Sequence, residues 1–173
     1  AFLRDMAGLR VFYGQASPQC GETVVLDPVE GRHLAKVLRA RKGEAVELLD
    51  GCGGRYRGVF VGESGRSAAV RVDHSEKIAP PPRELCLLQA VPKGKGMDAI
   101  IRQAVELGVG RIWPILGQQG AVHLDEDRRT SKVGHWETVA REACKQSGNP
   151  WLPKIAEAMP LEQALSCLPA GCL

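Results

Sequence analysis

Three consecutive prolines, Pro80-Pro81-Pro82, divide the 173-residue sequence into two parts of different character. Proline fixes φ and has no amide hydrogen to give to a sheet, so the stretch predicts a stiff, extended connector. Before it stand short strand-like runs rich in glycine, and after it stand longer runs with apolar residues at helical spacing. We therefore predict two domains, over residues 9–78 and 84–173, joined by a proline-rich linker over 79–83.

The first part is predicted to form a small β-barrel with one helix. Strand-like runs occur at 10–13, 23–26, 45–49, 55–61 and 68–74. The helix begins after Asp27, which can cap it; Pro28 suits its first position, and Glu30 completes a capping-box pattern. Several short strands with turns at regular spacing and a single helix are typical of a barrel.

The second part alternates strands and helices. Strands are predicted at 85–90, 111–116 and 154–158, and the continuous apolar run of the first predicts burial on both faces. Helices are predicted around 97–105, where Gly108 can end the helix, around 133–144 and over 161–168. This order is typical of a mostly parallel sheet covered by helices.

The composition narrows the class of protein. No apolar run reaches the length of a membrane span, and charges at Arg4, Asp5 and Arg10 interrupt the first fourteen residues, so we expect a cytoplasmic protein without a membrane partner. The six cysteines are scattered and form no C-x-x-C pair. We therefore expect incidental thiols in a reducing compartment and no metal site.

Basic residues are concentrated in the first domain although the net charge is only +3. Such a local excess suits a polyanion, or equally a solvated surface. The scarcity of aromatic residues, at 5%, argues against base stacking and for recognition through phosphate and shape. The residues predicted to contact such a polyanion are Arg32, Lys36, Arg39, Arg41, Lys42, Arg55, Arg57, Lys93 and Lys95.

Three groups of motifs point to one family. The first domain contains the run from His33 to Arg39, HLAKVLR, and later Asp50-Gly51; the second contains KGKGMD from Lys93 and EACKQSG from Glu142. In order and spacing these motifs resemble the bacterial methyltransferases that modify base nitrogen N3 of a uridine in 16S ribosomal RNA.

The resemblance implies an α+β architecture, in which an N-terminal PUA-like barrel precedes an α/β methyltransferase domain of the knotted SPOUT class. It implies S-adenosylmethionine as methyl donor, the small ribosomal subunit as partner and a homodimer. The family's Gly-Pro-Glu-Gly-Gly and Leu-Arg-x-Glu-Thr segments are not found in the sequence, so we expect the donor-binding residues, and the knot, beyond Leu173. Arginines common in the family are replaced by Gln118-Gln119-Gly120 and by Asn149.

Methylation of a uridine nitrogen requires loss of its proton, which a base or a nearby cation would assist. It requires neither a metal nor a covalent nucleophile. We assign no catalytic base; Glu106, Gln118 and Gln146 are candidates for the substrate side. A helical glutamate is more often a surface ion pair, and Gln146, with Ser147 and Asn149, either bonds the base edge or closes its helix.

Two alternatives remain open at the level of sequence. One is a truncated, inactive RNA-binding module, which would bind no methyl donor. The other is a SPOUT-type enzyme that acts on another RNA, which mapping of the methylated nucleotides would reveal.

Overall fold

A computed structural model describes residues 8–15, 17–65, 67–94, 96–117 and 126–168, with the backbone alone over 126–129. The chain divides into two compact units, residues 1–80 and 81–173, and the division falls within the proline tripeptide. Each unit has its own sheet.

The first unit is built on a five-stranded sheet. Its strands are β1 (Leu9–Phe12), β2 (Thr23–Val25), β3 (Ala45–Leu49), β4 (Gly54–Ser64) and β5 (Ser67–Lys77). They lie in the order β1-β3-β4-β5-β2, with β1 parallel to β3 and the other neighbours antiparallel. All five predicted strands are present, and β4 and β5 are longer than expected.

The core of the first unit lies on one face of this sheet. Side chains alternate along each strand, so Val46 and Leu48 of β3 and Tyr56 and Phe60 of β4 are buried together. The pairing of β4 with β5 shifts register after Arg57 and again after Phe60. Such bulges strengthen the local twist, which helps a sheet to curl around its core.

The helical segment of the first unit starts as predicted. Helix α1 spans Pro28–Arg32, and the Asp27 carboxylate caps it by accepting bonds from the amides of Val29, at 2.8 Å, and Glu30, at 3.0 Å. The chain then forms a π-helical turn over His33–Val37, which the sequence pattern did not predict. Leu34 of that turn is fully buried in the core.

The second unit contains a three-stranded parallel sheet, and its three strands alternate along the chain with three helices. Its elements are β6 (Cys86–Ala90), α2 (Gly96–Glu106), β7 (Arg111–Ile115), α3 (Glu126–Ser147), β8 (Lys154–Ile155) and α4 (Leu161–Ser166). The strands are ordered β6-β7-β8. The predicted alternation and parallel pairing are therefore confirmed.

Two expectations for the second unit were wrong in detail. Strand β6 is only half-buried, because within the described residues it pairs with β7 alone and so lies at an edge of the sheet. Strand β8 has two residues where five were expected, and the chain beyond it touches β7 through a single bridge between Ile115 and Met159.

Helix α2 buries Met97, Ile101, Ala104 and Val105, as their spacing predicted. Gly108 follows it with φ of 78°, the left-handed conformation that ends many helices. Helix α3 buries the predicted Trp136, Ala140, Ala143 and Cys144, together with Val139, while Val133 is half-buried. These helices position the ends of the strands, where the site candidates of this unit lie.

Candidate nucleic-acid interface

Five predicted RNA-binding side chains form one exposed group, here called the cationic patch. It comprises Arg32, Lys36, Arg39, Arg41 and Lys42. Lys36 is paired with Glu63, with 2.9 Å between Nζ and Oε1. Within the part of the chain that the structure describes, the side-chain nitrogens of the other four have no hydrogen-bond or ion-pair partner. These four cations are therefore available to an anion.

The loop that carries part of the cationic patch is fastened to β4. The amide of Gly43 donates to the carbonyl of Phe60 at 2.8 Å, and the amide of Phe60 donates to the carbonyl of Glu44 at 2.9 Å. The Glu44 carboxylate accepts from the amide of Arg41 at 2.7 Å, and the amide of Glu44 donates to the carbonyl of Arg41 at 2.8 Å. A cation on such a loop loses little backbone freedom when it binds an anion.

The predicted pair Arg55 and Arg57 belongs to a different surface, here called the Glu47 cluster, which also contains Arg10. Arg10, Glu47 and Arg57 stand directly opposite one another on β1, β3 and β4, on the face of the sheet turned away from the core. The Glu47 carboxylate lies 2.6 Å from Nε of Arg10, 3.4 Å from Nε of Arg57 and 3.7 Å from Nε of Arg55.

Burial distinguishes the members of the Glu47 cluster. The side chains of Arg10 and Arg55 are 19% and 25% exposed, whereas that of Arg57 is 58% exposed. Arg10 and Arg55 therefore hold the sheet face together, and Arg57 is the member best placed to meet a polyanion. Arg10 and Glu47 were not among the predicted site residues, because only the parallel pairing of β1 with β3 brings them together.

Lys93 lies in the second unit at the carboxyl end of the parallel strands. It is exposed, follows β6, and precedes the first turn of α2. Ligands of open parallel sheets bind at this end of the strands, where the helix N-termini favour negative charge. The predicted Lys95 and Gln118 lie outside the described residues.

Glu106 and Gln146 are placed at the opposite end of the sheet. Helix α2 ends at Glu106 before β7, and α3 ends one residue after Gln146, before β8, so both side chains lie at the amino ends of the parallel strands. Both are exposed. The structure therefore places both of them at the end of the sheet opposite to Lys93.

Two polar residues near Gln146 form hydrogen bonds within the second unit. The hydroxyl of Ser147 donates to the carbonyl of Ala143 at 2.8 Å. The side-chain amide of Asn149 donates to the carbonyl of Val105 at 2.9 Å, and its oxygen accepts from the amide of Trp151 at 2.9 Å. The Ser147 hydroxyl therefore bonds within α3, and Asn149 ties the ends of α2 and α3 together. The two alternatives for Gln146 stay predictions.

Charged and nucleophilic groups inside α3 are similarly engaged. The side chain of Lys145 is only 6% exposed, and its Nζ lies 2.7 Å from the carboxylate of Glu142. Burial raises the pKa of the Cys144 thiol to about 12, so this sulfur is not a nucleophile near neutral pH. No group of three or more potential metal-binding side chains exists among the described residues. Nor does any described helix combine the length and apolar character of a membrane span.

The described residues leave no buried polar atom unsatisfied at the carboxyl ends of the parallel strands, where a methyl donor would be expected to bind. Nε1 of Trp151 is buried and has no hydrogen-bond partner among the described residues. Trp151 precedes β8 and so lies at the amino end of the strands. At the carboxyl ends, the described part of the chain offers the exposed Lys93 but no buried polar group directed at a ligand.

Two protein families match this chain. An RNA methyltransferase PUA domain matches residues 26–73, and an RNA methyltransferase domain matches residues 79–172. The chain is 30% identical over 141 residues to ribosomal RNA small subunit methyltransferase E of Synechocystis sp., covering 82% of this chain and 45% of that protein. It is also 30% identical over 146 residues to the protein of the same name from Mycobacterium bovis, covering 84% and 55% respectively.

A solved structure is similar to this chain over both units. The crystal structure of a ribosomal RNA small subunit methyltransferase E from Neisseria gonorrhoeae, bound to S-adenosyl methionine, matches with a TM-score of 0.83 and 27% identity. The match covers 94% of this chain and 67% of that one. The chain spans about half the length of the curated relatives that it matches.

Proposed function

Because the chain belongs to the RNA methyltransferase family, we propose that the protein transfers a methyl group to ribosomal RNA and that its first unit holds the RNA. The fold implied by the sequence motifs is confirmed: a PUA-like unit precedes an α/β unit of the SPOUT methyltransferase type. The observation that carries the proposal is the cationic patch, in which four cations have no partner among the described residues.

The structure of the patch supports contact with phosphate. Arginine forks onto phosphate oxygens, and the patch presents Arg32, Arg39 and Arg41 on a short helical segment and a fastened loop. The described aromatic side chains of the first unit, which are Phe12, Tyr13, Tyr56 and Phe60, are all buried. Stacking on unpaired bases is therefore not offered by these residues, and binding depends on phosphates and on RNA shape.

The finer assignment is methylation of N3 of a uridine in 16S ribosomal RNA. Its support is the agreement of the motifs from His33 to Gly148 with that family and the names of the relatives. The donor proposed is S-adenosylmethionine, which supplies the methyl group when it is bound; the Neisseria relative binds this molecule. A homodimer acting on the small ribosomal subunit in the cytoplasm completes the proposal.

The chain's own residues have a limited part in this chemistry. Lys93, exposed at the carboxyl ends of the strands, is placed to pair with a phosphate near the target base or to favour the deprotonated base through its charge. Glu106 and Gln146 lie at the other end of the sheet, so we propose no proton transfer through either of them.

The test combines RNA binding with methyl transfer. The full-length protein is titrated with 16S ribosomal RNA at several salt concentrations, then incubated with the RNA and labelled S-adenosylmethionine, and the nucleosides are analysed. Four phosphate contacts predict that log K falls against log salt with a slope of about −3 to −4. Label in 3-methyluridine supports the full proposal, and label in another nucleoside or in transfer RNA contradicts the finer assignment.

A second candidate is an RNA-binding module without methyl transfer. It is favoured by one observation: the described residues provide a cationic patch but no site that fits the donor. Calorimetric titration with S-adenosylmethionine separates the two candidates. Salt-sensitive RNA binding without any donor binding would support the module and contradict the enzyme.

A further inference from the structure

Arg39 adopts an unusual backbone conformation. Its φ is 54°, and every other described residue with a positive φ is a glycine. In this left-handed region the Cβ of an L-residue crowds the neighbouring carbonyl oxygen, a strain that glycine does not suffer. The position follows a helical turn, where glycine or asparagine ordinarily stands.

The flanking residues explain why the backbone stays there. The amide of Leu38 donates to the carbonyl of His33 at 2.9 Å, and the amide of Ala40 donates to the carbonyl of Leu34 at 3.1 Å, so two hydrogen bonds enclose Arg39. Leu38 and Ala40 both pack against the core of the first unit. The two hydrogen bonds and the packing of Leu38 and Ala40 thus hold the backbone on both sides of Arg39.

The same geometry turns the Arg39 side chain outward. It is exposed between two residues that face the core, after a π-helical turn and before the loop fastened to β4. No partner engages its guanidinium among the described residues. Strain that the surrounding structure maintains at an exposed, charged residue commonly marks a functional position.

We infer that Arg39 is the principal RNA-binding residue of the cationic patch, retained in a strained conformation for the placement of its guanidinium. The inference rests on the proposed RNA-binding function and assigns the contact within it. It distinguishes Arg39 from Arg41 and Lys42, which have ordinary backbone conformations on the same loop.

The test compares three variants of the full-length protein. Arg39→Gly removes the guanidinium and relieves the strain; Arg39→Lys keeps both the charge and the strain but loses the fork. Lys42→Ala removes an exposed cation of the same patch from unstrained backbone and serves as the matched control. Each variant is melted to obtain Tm and titrated with 16S ribosomal RNA at low salt.

Arg39→Gly is expected to raise Tm by roughly 2–6 °C while weakening RNA binding more than about tenfold. Arg39→Lys should leave Tm unchanged and weaken binding several-fold, because an ammonium cannot fork onto phosphate. Lys42→Ala should weaken binding about two- to threefold without a rise in Tm.

The RNA-binding and Tm results test the role of Arg39, the backbone strain and the proposed function separately. RNA binding by Arg39→Gly as tight as that of the wild type, or reduced no more than in Lys42→Ala, would overturn the inference and leave the proposed function intact. An unchanged or lowered Tm for Arg39→Gly would show that the backbone is not strained. Absence of RNA binding by the wild type would refute the proposed function itself, and the inference with it.

Discussion

The carboxylate of Glu30 accepts a hydrogen bond from the backbone amide of Phe12 at 3.1 Å, although eighteen residues separate the two in sequence. Both residues are buried, so the bond ties α1 to β1 inside the first unit. Glu30 was expected to complete a capping box at the start of α1, and its carboxylate accepts a hydrogen bond from another element of the fold.

Replacing Glu30 tests this tie. Glu30→Ala should lower the free energy of unfolding by about 1–3 kcal/mol, because the buried amide of Phe12 loses its acceptor. Glu30→Gln keeps an acceptor oxygen of similar reach and should cost less. Urea denaturation of both variants measures the difference, and equal stability of Glu30→Ala and wild type would contradict the role assigned to the bond.

Two glycines in helices should respond to alanine in opposite directions. A Cβ on Gly31 of α1 would lie 2.8 Å from the amide nitrogen of Ala68, a backbone atom that cannot move aside easily. Gly31→Ala should therefore lower the free energy of unfolding by about 1–3 kcal/mol. A Cβ on Gly134 of α3 would meet nothing within 4 Å, so Gly134→Ala should raise the free energy of unfolding by up to about 1 kcal/mol.

Thermal and urea unfolding of the two glycine variants provide the comparison. Both changes add the same methyl group to a helix. Opposite effects on the free energy of unfolding would therefore be due to the close contact between α1 and β5 at Gly31. If Gly31→Ala proved as stable as the wild type, the packing of α1 on Ser67 and Ala68 would be wrong.

The buried Cys144 thiol should make stability sensitive to alkaline pH. Burial raises its pKa from the ordinary thiol value of 9.0 to about 12, so above pH 9 the unfolded chain loses this proton while the folded chain keeps it. Stability due to this group is thus full below pH 9 and falls between pH 9 and 12. By pH 10.5 the loss should be about 2 kcal/mol.

Cys144→Ala supplies the reference for that measurement. Its free energy of unfolding should change less than that of the wild type between pH 8 and pH 10.5, although its stability at pH 8 is lower because a buried side chain is truncated. At pH 8 a thiol reagent should label the exposed Cys20, Cys52 and Cys167 in the native protein well before Cys144. Equal labelling rates would show that Cys144 is accessible.

Because Lys36 is paired with Glu63, the residues of the cationic patch should contribute unequally to RNA binding. Arg41→Ala should weaken RNA binding about fivefold and reduce the salt dependence by about one ion, since its guanidinium has no partner in the described chain. Lys36→Ala should have a smaller effect, because Glu63 already neutralises part of that charge.

Glu63→Gln is the complementary variant. It removes the partner of Lys36 and one negative charge beside the patch, so RNA binding at low salt should become tighter. Anisotropy titrations with 16S ribosomal RNA at two salt concentrations measure all three variants. A larger loss for Lys36→Ala than for Arg41→Ala would contradict the assignment of the unpartnered cations as the principal contacts.

The sequence by itself determined the features that depend on neighbours along the chain. The cap at Asp27, the apolar stripe of α2 around Ile101 and the turn at Gly108 each follow from residue types within a few positions, and all were found. The exposure of Arg32, Lys36 and Arg39 follows in the same way, because one face of a short helical segment is taken by the core.

Only the tertiary structure decided the features that depend on pairing between distant segments. The parallel register of β1 with β3 places Arg10 beside Glu47. The apolar run of β6 predicted a fully buried strand, but among the described residues β6 lies at an edge of the sheet and is only half-buried. The left-handed conformation of Arg39 is held by the packing of Leu38 and Ala40 on the core and by the hydrogen bonds of their amides to His33 and Leu34. Residue pattern encodes local conformation, whereas register, edges and close approaches depend on which segments meet, and no pattern within one segment specifies that.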